Sequence, residues 1–210
     1  MRWEKFVAKF NKLPVIDTEI FLAGVTDPRP LKVQISRWQK AKKLIQVKRG
    51  IYLLAEPYRR VEVCEFYLAS LLKKPSYISL EKALEYYDLI PESVSVYTSV
   101  TTKRPGRFSS EVGVFDYRHI KNSFFWGYNS ITLNKQTGFI ASAEKALLDF
   151  FYLKGVKISL DYLEEMRLQN AQQINLEKLA EYAKKFKKPG MLYVAQVISK
   201  YISTASKRKK

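Results

Sequence analysis

Residues 31–54 place a helical pattern directly ahead of a hairpin pattern, and no other stretch restricts the fold as tightly. Leu31, Ile35, Trp38 and Ala41 recur at helical spacing on one face. At about 100° per residue, Lys32, Ser36, Lys40 and Lys43 fall on the opposite face, with Arg37 beside them. The run LIQVKRGIYLL (Leu44–Leu54) then alternates apolar and polar residues on both sides of Lys48-Arg49-Gly50. Ile45 and Val47 share a face before this tip, and Ile51 and Leu53 share one after it. Gly50 permits a tight turn, so two cations crown the hairpin.

Upstream, Trp3, Phe6, Val7 and Phe10 predict an amphipathic helix over residues 2–11, broken at Leu13-Pro14. Asp17 suits the N-cap of a short helix running to Ala23 and stopped by Gly24. Thr26 to Pro30 reads as a turn, with Pro30 placed to open the helix that continues to about Lys43. Helix, short helix, helix and basic-tipped hairpin is the order of a winged helix-turn-helix, expected over residues 1–56. A groove-reading helix buries one stripe in its own domain and presents polar groups to base edges and phosphates. Lys32, Ser36, Arg37, Lys40 and Lys43 are assigned to that face, with Val33 placed to meet a thymine methyl. Lys48 and Arg49 are assigned to backbone phosphates. Read singly, a lysine-rich helix is a solvated face and a basic tip protects a sheet edge. The ordered combination favours DNA.

Charge distribution agrees. The net charge is +17. Residues 1–60 hold 14 Lys/Arg against 5 Asp/Glu, residues 61–155 hold 11 against 10, and residues 156–210 hold 12 against 5. A basic beginning, a near-neutral middle and a basic end suggest modules, and nucleic acid is the commonest polyanionic partner for such a pattern. Cys64 and His119 are the only residues of their kinds. An intrachain disulfide is therefore excluded, most zinc sites lack ligands, and a cytoplasmic location is expected. No apolar run approaches the roughly 18 residues that span a bilayer, and no signal peptide is expected at the start.

The periodicity lapses at Ala55 to Arg60, the expected boundary of a second domain over residues 61–155. Helices are predicted over 61–73, with Cys64, Tyr67, Leu68 and Leu71 inward, and from a Ser79 cap to Pro91. Strands are predicted at 94–101, 112–119, 124–126 and 130–133. A helix follows from Ser142, carrying Ala143, Ala146, Leu147, Phe150 and Phe151 on its inner face. Residues 156–210 read as helices again and end in the basic run Lys207–Lys210, expected to fray. The fold class is therefore α+β: a winged helix-turn-helix, then a small sheet with helices, then C-terminal helices.

The runs VKRGIYLL (Val47–Leu54), YISLEKALEYYDLIPESVSVYTSVTTKRPGRF (Tyr77–Phe108) and ASAEKALLDFFYL (Ala141–Leu153) resemble the AbiEi-type antitoxins of bacterial type IV toxin–antitoxin systems. With the order of the first elements, the similarity spans roughly residues 1–155. It implies an N-terminal module that binds double-stranded operator DNA and represses its own operon. It also implies a remainder that counteracts a nucleotidyltransferase-like toxin. The reading helix maps to Leu31–Lys43 and the wing to Val47–Leu53. No motif matches the helices after Lys157.

Other candidates are weaker. Lys103, Arg104 and Arg107 follow a strand edge and are expected either to meet phosphates or an acidic partner, or to form a solvated connection. Glu111, Asp116 and Arg118, with Glu144-Lys145, admit a divalent-metal nuclease reading. Strand alternation opposes it by placing Glu111 and Asp116 on opposite faces. Cys64 is expected as a core thiol, His119 at a strand end, Phe124–Trp126 in the core, and Glu144 at the positive end of its helix. No cofactor or metal is expected. The alternative function is a winged-helix regulator with a ligand-binding or oligomerisation domain and no toxin partner.

Overall fold

A computed structural model describes residues 1–208, with side chains through Thr204. Lys209 and Lys210, and the side chains of Lys207 and Arg208, lie outside the described residues, and so does the predicted fraying of the basic tail.

The first elements are α1 (Trp3–Phe10), β1 (Ile16–Asp17), α2 (Thr18–Leu22), α3 (Arg29–Lys40), β2 (Leu44–Lys48) and β3 (Ile51–Leu54). Helix α1 buries Phe6 and Phe10, one turn apart, against Ile16, Ile35, Leu44 and Leu54. Aromatic rings close this small core: Phe6 lies 4.6 Å from Trp38 and 4.7 Å from Phe10. The Asp17 carboxylate accepts the Glu19 amide at 2.8 Å and so caps α2. Pro30 sits in the first turn of α3, where its missing N–H costs nothing. The helix stops at Lys40, short of the expected Lys43, because Lys42 adopts φ 54° and turns the chain. The Lys43 carbonyl then accepts the Ala55 amide at 3.0 Å, which already belongs to the hairpin.

Strands β1, β3 and β2 form an antiparallel sheet with β3 at its centre. Its two faces serve different cores. Leu44 and Leu54 enter the small core, whereas Val47, Ile51 and Leu53 enter a larger one, with Ile45 packed against it. The two expected pairs, Ile45 with Val47 and Ile51 with Leu53, therefore lie on one face, and it is covered. Strand β2 also packs on the strand Gly106–Ser110 of the larger unit.

The larger unit comprises α4 (Glu65–Leu72), β4 (Ser76–Ile78), α5 (Leu80–Tyr86), β5 (Val96–Thr101), β6 (Gly106–Ser110), β7 (Gly113–His119), β8 (Tyr128–Leu133), β9 (Gln136–Ala141) and α6 (Ala143–Lys154). Helices α7 (Leu160–Glu165), α8 (Leu176–Lys185) and α9 (Pro189–Arg208) complete it. The sheet runs β6-β7-β5-β4-β9-β8, with β5–β7 and β4–β9 parallel and the other pairs antiparallel. Strands β4, β6 and β9 exceed the predicted set. Residues 124–126, expected as a strand, instead leave a 3-10 turn over Asn122–Phe124, held by the Trp126 indole donating to the Ser123 carbonyl at 3.0 Å. Their rings do pack on the core, as expected.

Helix α6 is buried on every side, from Glu144 to Phe151, since α5, α8 and α9 cover what the sheet does not. Leu163, Leu179, Ala183, Val194 and Ile198 join the same core as α4 and the sheet. The helices after residue 156 thus finish one core rather than stand beside it. Cys64 is buried just ahead of α4, its amide donating to Gln136 Oε1 at 3.0 Å. Among the described residues, no helix is long and apolar enough to cross a membrane.

Candidate nucleic-acid interface

Helix α3 presents Lys32, Val33, Ser36, Arg37 and Lys40 to solvent while burying Ile35. Val33 is 50% exposed, an apolar side chain standing inside a cationic row. Between α2, α3 and the hairpin tip runs a groove of about 710 Å³, lined by Lys32 and Ser36 on one wall and Arg49 on the other. Arg49 is held in place from behind. Gly50 takes φ 88°, and its carbonyl accepts both the Thr18 amide at 2.8 Å and the Thr18 hydroxyl at 3.0 Å. The tip is thereby tied to the first residue of α2. Glu19 also lines this groove, an acidic neighbour that periodicity alone did not single out.

Two expected members of the site stand elsewhere. The register shift between Gln46 and Lys48 pairs Lys48 with Ile51, on the face turned toward the larger unit. There the Lys48 ammonium donates to the Leu72 carbonyl at 2.8 Å and lies 5.5 Å over the Phe108 ring. Lys48 is an inter-unit anchor, not an outward phosphate contact, because the bulge carries it across the sheet. Lys43 follows the end of α3 and lies 5.0 Å over the Trp3 ring, beside α1.

Lys103 and Arg104 are exposed on the β5–β6 connection and Arg107 at the start of β6, next to the junction of the two units. Lys73 donates to the Arg104 carbonyl at 2.8 Å. Its ammonium is pushed below the ordinary lysine range, first by burial and then by the charges of Lys48 and Arg104. The junction is therefore an electropositive spot shared by both units.

The residues weighed for metal chemistry are engaged separately. Asp116 pairs with Arg118 at 2.8 Å, Glu111 sits in the β6–β7 turn, and His119 Nδ1 lies 3.2 Å from the Lys103 carbonyl. Among the described residues no group of three or more His, Cys, Asp or Glu is placed to hold a metal ion. Glu144 meets Lys178 at 3.0 Å and accepts from Ser142 at 2.8 Å and from the Asn175 amide at 3.1 Å, joining α6 to α8. Burial pushes this carboxyl up, but these hydrogen bonds outweigh it and hold the group below its ordinary value of 4.5. A depressed carboxylate stabilises the fold above its unfolded pKa, and that contribution is lost as pH falls through the lower folded value. Glu144→Gln is accordingly expected to flatten the acid-side decline of melting temperature below pH 4.5. An unchanged decline in a thermal melt series would reject this role.

Sequence reading missed a polar cluster inside the core. Lys145 and Asp149, one turn apart on α6, form an ion pair with both side chains completely buried. Asp149 also accepts from Tyr77 at 3.0 Å and from Ser79 at 2.9 Å, and Lys145 donates to the Tyr77 oxygen at 2.9 Å. Ser79 therefore serves Asp149 and makes no side-chain cap on α5, correcting the expected role. Desolvation drives Asp149 upward and Lys145 downward, and their attraction opposes both shifts. Burial, then the Asp149 charge, raises Tyr77 well above its ordinary range, so its proton remains available to Asp149. The available signal was a lysine and an aspartate four apart on a helix whose other residues from Ala146 to Leu153 are apolar or aromatic.

No protein-family model matches this chain, and no curated protein matches it.

Proposed function

We propose that residues 1–56 act as a winged helix-turn-helix that binds double-stranded operator DNA, with α3 as the reading helix. The observation that carries this reading is that Lys32 and Ser36 of α3 line one groove with Arg49 of the hairpin tip, while Arg37 and Lys40 extend the same exposed helix surface. Side chains on such a row reach base edges while flanking cations neutralise phosphates. Val33 offers the apolar contact suited to a thymine methyl. The further proposal, an antitoxin that autorepresses its operon and counteracts a nucleotidyltransferase-like toxin, is supported by the resemblance of Tyr77–Phe108 and Ala141–Leu153 to AbiEi-type antitoxins.

Fluorescence anisotropy with duplex DNA from upstream of the chain's own gene tests the first half. Affinity is expected to fall linearly on a log–log salt plot. Lys32→Ala, Lys40→Ala and Arg49→Ala should each lower the slope by roughly one. Lys48→Met should leave the slope unchanged, since that ammonium is spent on Leu72. A flat salt response in the parent protein rejects DNA binding.

The toxin half is tested by growth rescue, inducing the neighbouring gene with the full chain or with its triple Ala variant. The full chain is required, because removing residues 1–60 would strip Val47, Ile51 and Leu53 from the larger core. Rescue by both forms supports an antitoxin activity separate from DNA. A harmless neighbour favours the regulator without a toxin.

A further inference from the structure

The larger unit carries a second hollow, of about 410 Å³, between the end of α4, the entry to β4 and the strands β8 and β9. That volume lies within the usual range for small-molecule sites. Its walls are aromatic: Tyr67, Phe125, Tyr128 and Phe139. Two of these rings are braced from behind by Tyr77. Tyr128 stacks on it at 4.7 Å and 15°, and Phe125 lies 5.0 Å from it, while Phe139 meets the Tyr128 ring edge-on at 5.9 Å. Tyr77 is itself pinned by Asp149 and Lys145, so the walls have a rigid backing.

Ser76 also lines the hollow. It is 5% exposed, and its hydroxyl has no hydrogen-bond partner in the protein. Native structures seldom leave a buried hydroxyl unpaired, and this oxygen is itself sealed from solvent, so it stands behind the lining rather than in the open hollow. Ser70, in the same lining, shows the contrast: its hydroxyl donates to the Phe66 carbonyl at 3.0 Å and accepts the Phe139 amide at 3.1 Å. The lining holds a single charged residue, the exposed Lys74, and no carboxylate.

We propose that this hollow binds a small planar aromatic carboxylate. The ring lies among Phe125, Tyr128 and Phe139, and Lys74 meets the carboxylate. One lysine matches a monoanion, whereas a nucleotide phosphate would call for more cations than the lining supplies. The site adjoins the hairpin anchor, since Leu71 lines it and the next carbonyl, Leu72, holds Lys48. The proposal is independent of DNA binding, and its test uses no DNA.

Isothermal titration of the full chain with salicylate, benzoate, benzyl alcohol and cyclohexanecarboxylate decides it. Saturable one-to-one binding is expected for the aromatic acids, with the alcohol and the saturated acid weaker by about tenfold or more. Lys74→Ala should weaken the acids by about tenfold and leave the alcohol unaffected. Thr137→Trp, at an exposed position on the rim, should abolish binding of both acids. Thermal melts confirm that each variant is folded. Two results overturn the proposal: neither acid saturates the parent protein, or folded Lys74→Ala and Thr137→Trp bind as the parent does.

Discussion

Lys145→Met should lower the unfolding free energy by about 3–5 kcal/mol, because it removes one partner of a buried ion pair and leaves the other charge uncompensated. At this chain length that corresponds to a fall in melting temperature on the order of 10 °C. The surroundings make the loss hard to absorb. Asp149 is completely buried, and the two remaining donors, Tyr77 and Ser79, are neutral. Lys145 also fills space between aromatic rings, lying 4.9 Å over Trp126 and 5.2 Å over Phe186. The double variant Lys145→Met/Asp149→Leu should recover much of the loss, since it buries no charge at all. Thermal and urea unfolding of the parent, the two single variants and the double variant measure the coupling. If the single and double variants melt together, the pair is not the source of the stability.

Gly138→Ala is expected to cost about 3 kcal/mol, through overpacking rather than through a lost contact. A Cβ on Gly138 would stand 2.6 Å from the backbone carbon and oxygen of Phe66 and 3.0 Å from the Tyr67 nitrogen. Those are main-chain atoms of α4, so no side chain can rotate out of the way, and the helix must lift from β9. Gly190→Ala supplies the control. Nothing lies within 4 Å of its added carbon, and it sits in the first turn of α9. Alanine there should be neutral or stabilising by about 0.5–1 kcal/mol. Equal melting temperatures for Gly138→Ala and the parent would mean that α4 does not bear on β9 as tightly as its geometry requires.

Much of the N-terminal unit was legible because its signals are local. The spacing of Trp3, Phe6 and Phe10, the Asp17 cap and the two-faced pattern of α3 each depend on neighbours within a few residues. Exposure of Lys32, Val33, Ser36, Arg37 and Lys40 follows from helical period alone. The larger unit was less legible. Strand β4 is three residues long and β6 reads GRFSS, neither enough to show a period, and both exist because long-range partners supply their hydrogen bonds. Alternation also gave an apolar pair on each side of the hairpin tip without revealing that both face one unit that covers them.

What this sequence determines by itself is therefore the order of its first elements, the cationic face of α3 and a hairpin tip that Arg49-Gly50 can turn. Those features arise from backbone periods and capping, whose range is a single turn or pair. Only the tertiary structure decided that Lys48 points inward, that Ser79 serves Asp149 rather than a helix end, and that the elements from α4 to α9 share one core. A β-bulge moves a side chain across a sheet by one residue, and a buried charge is defined by whichever groups pack around it. Both are properties of non-local neighbours, which periodicity along the chain does not carry.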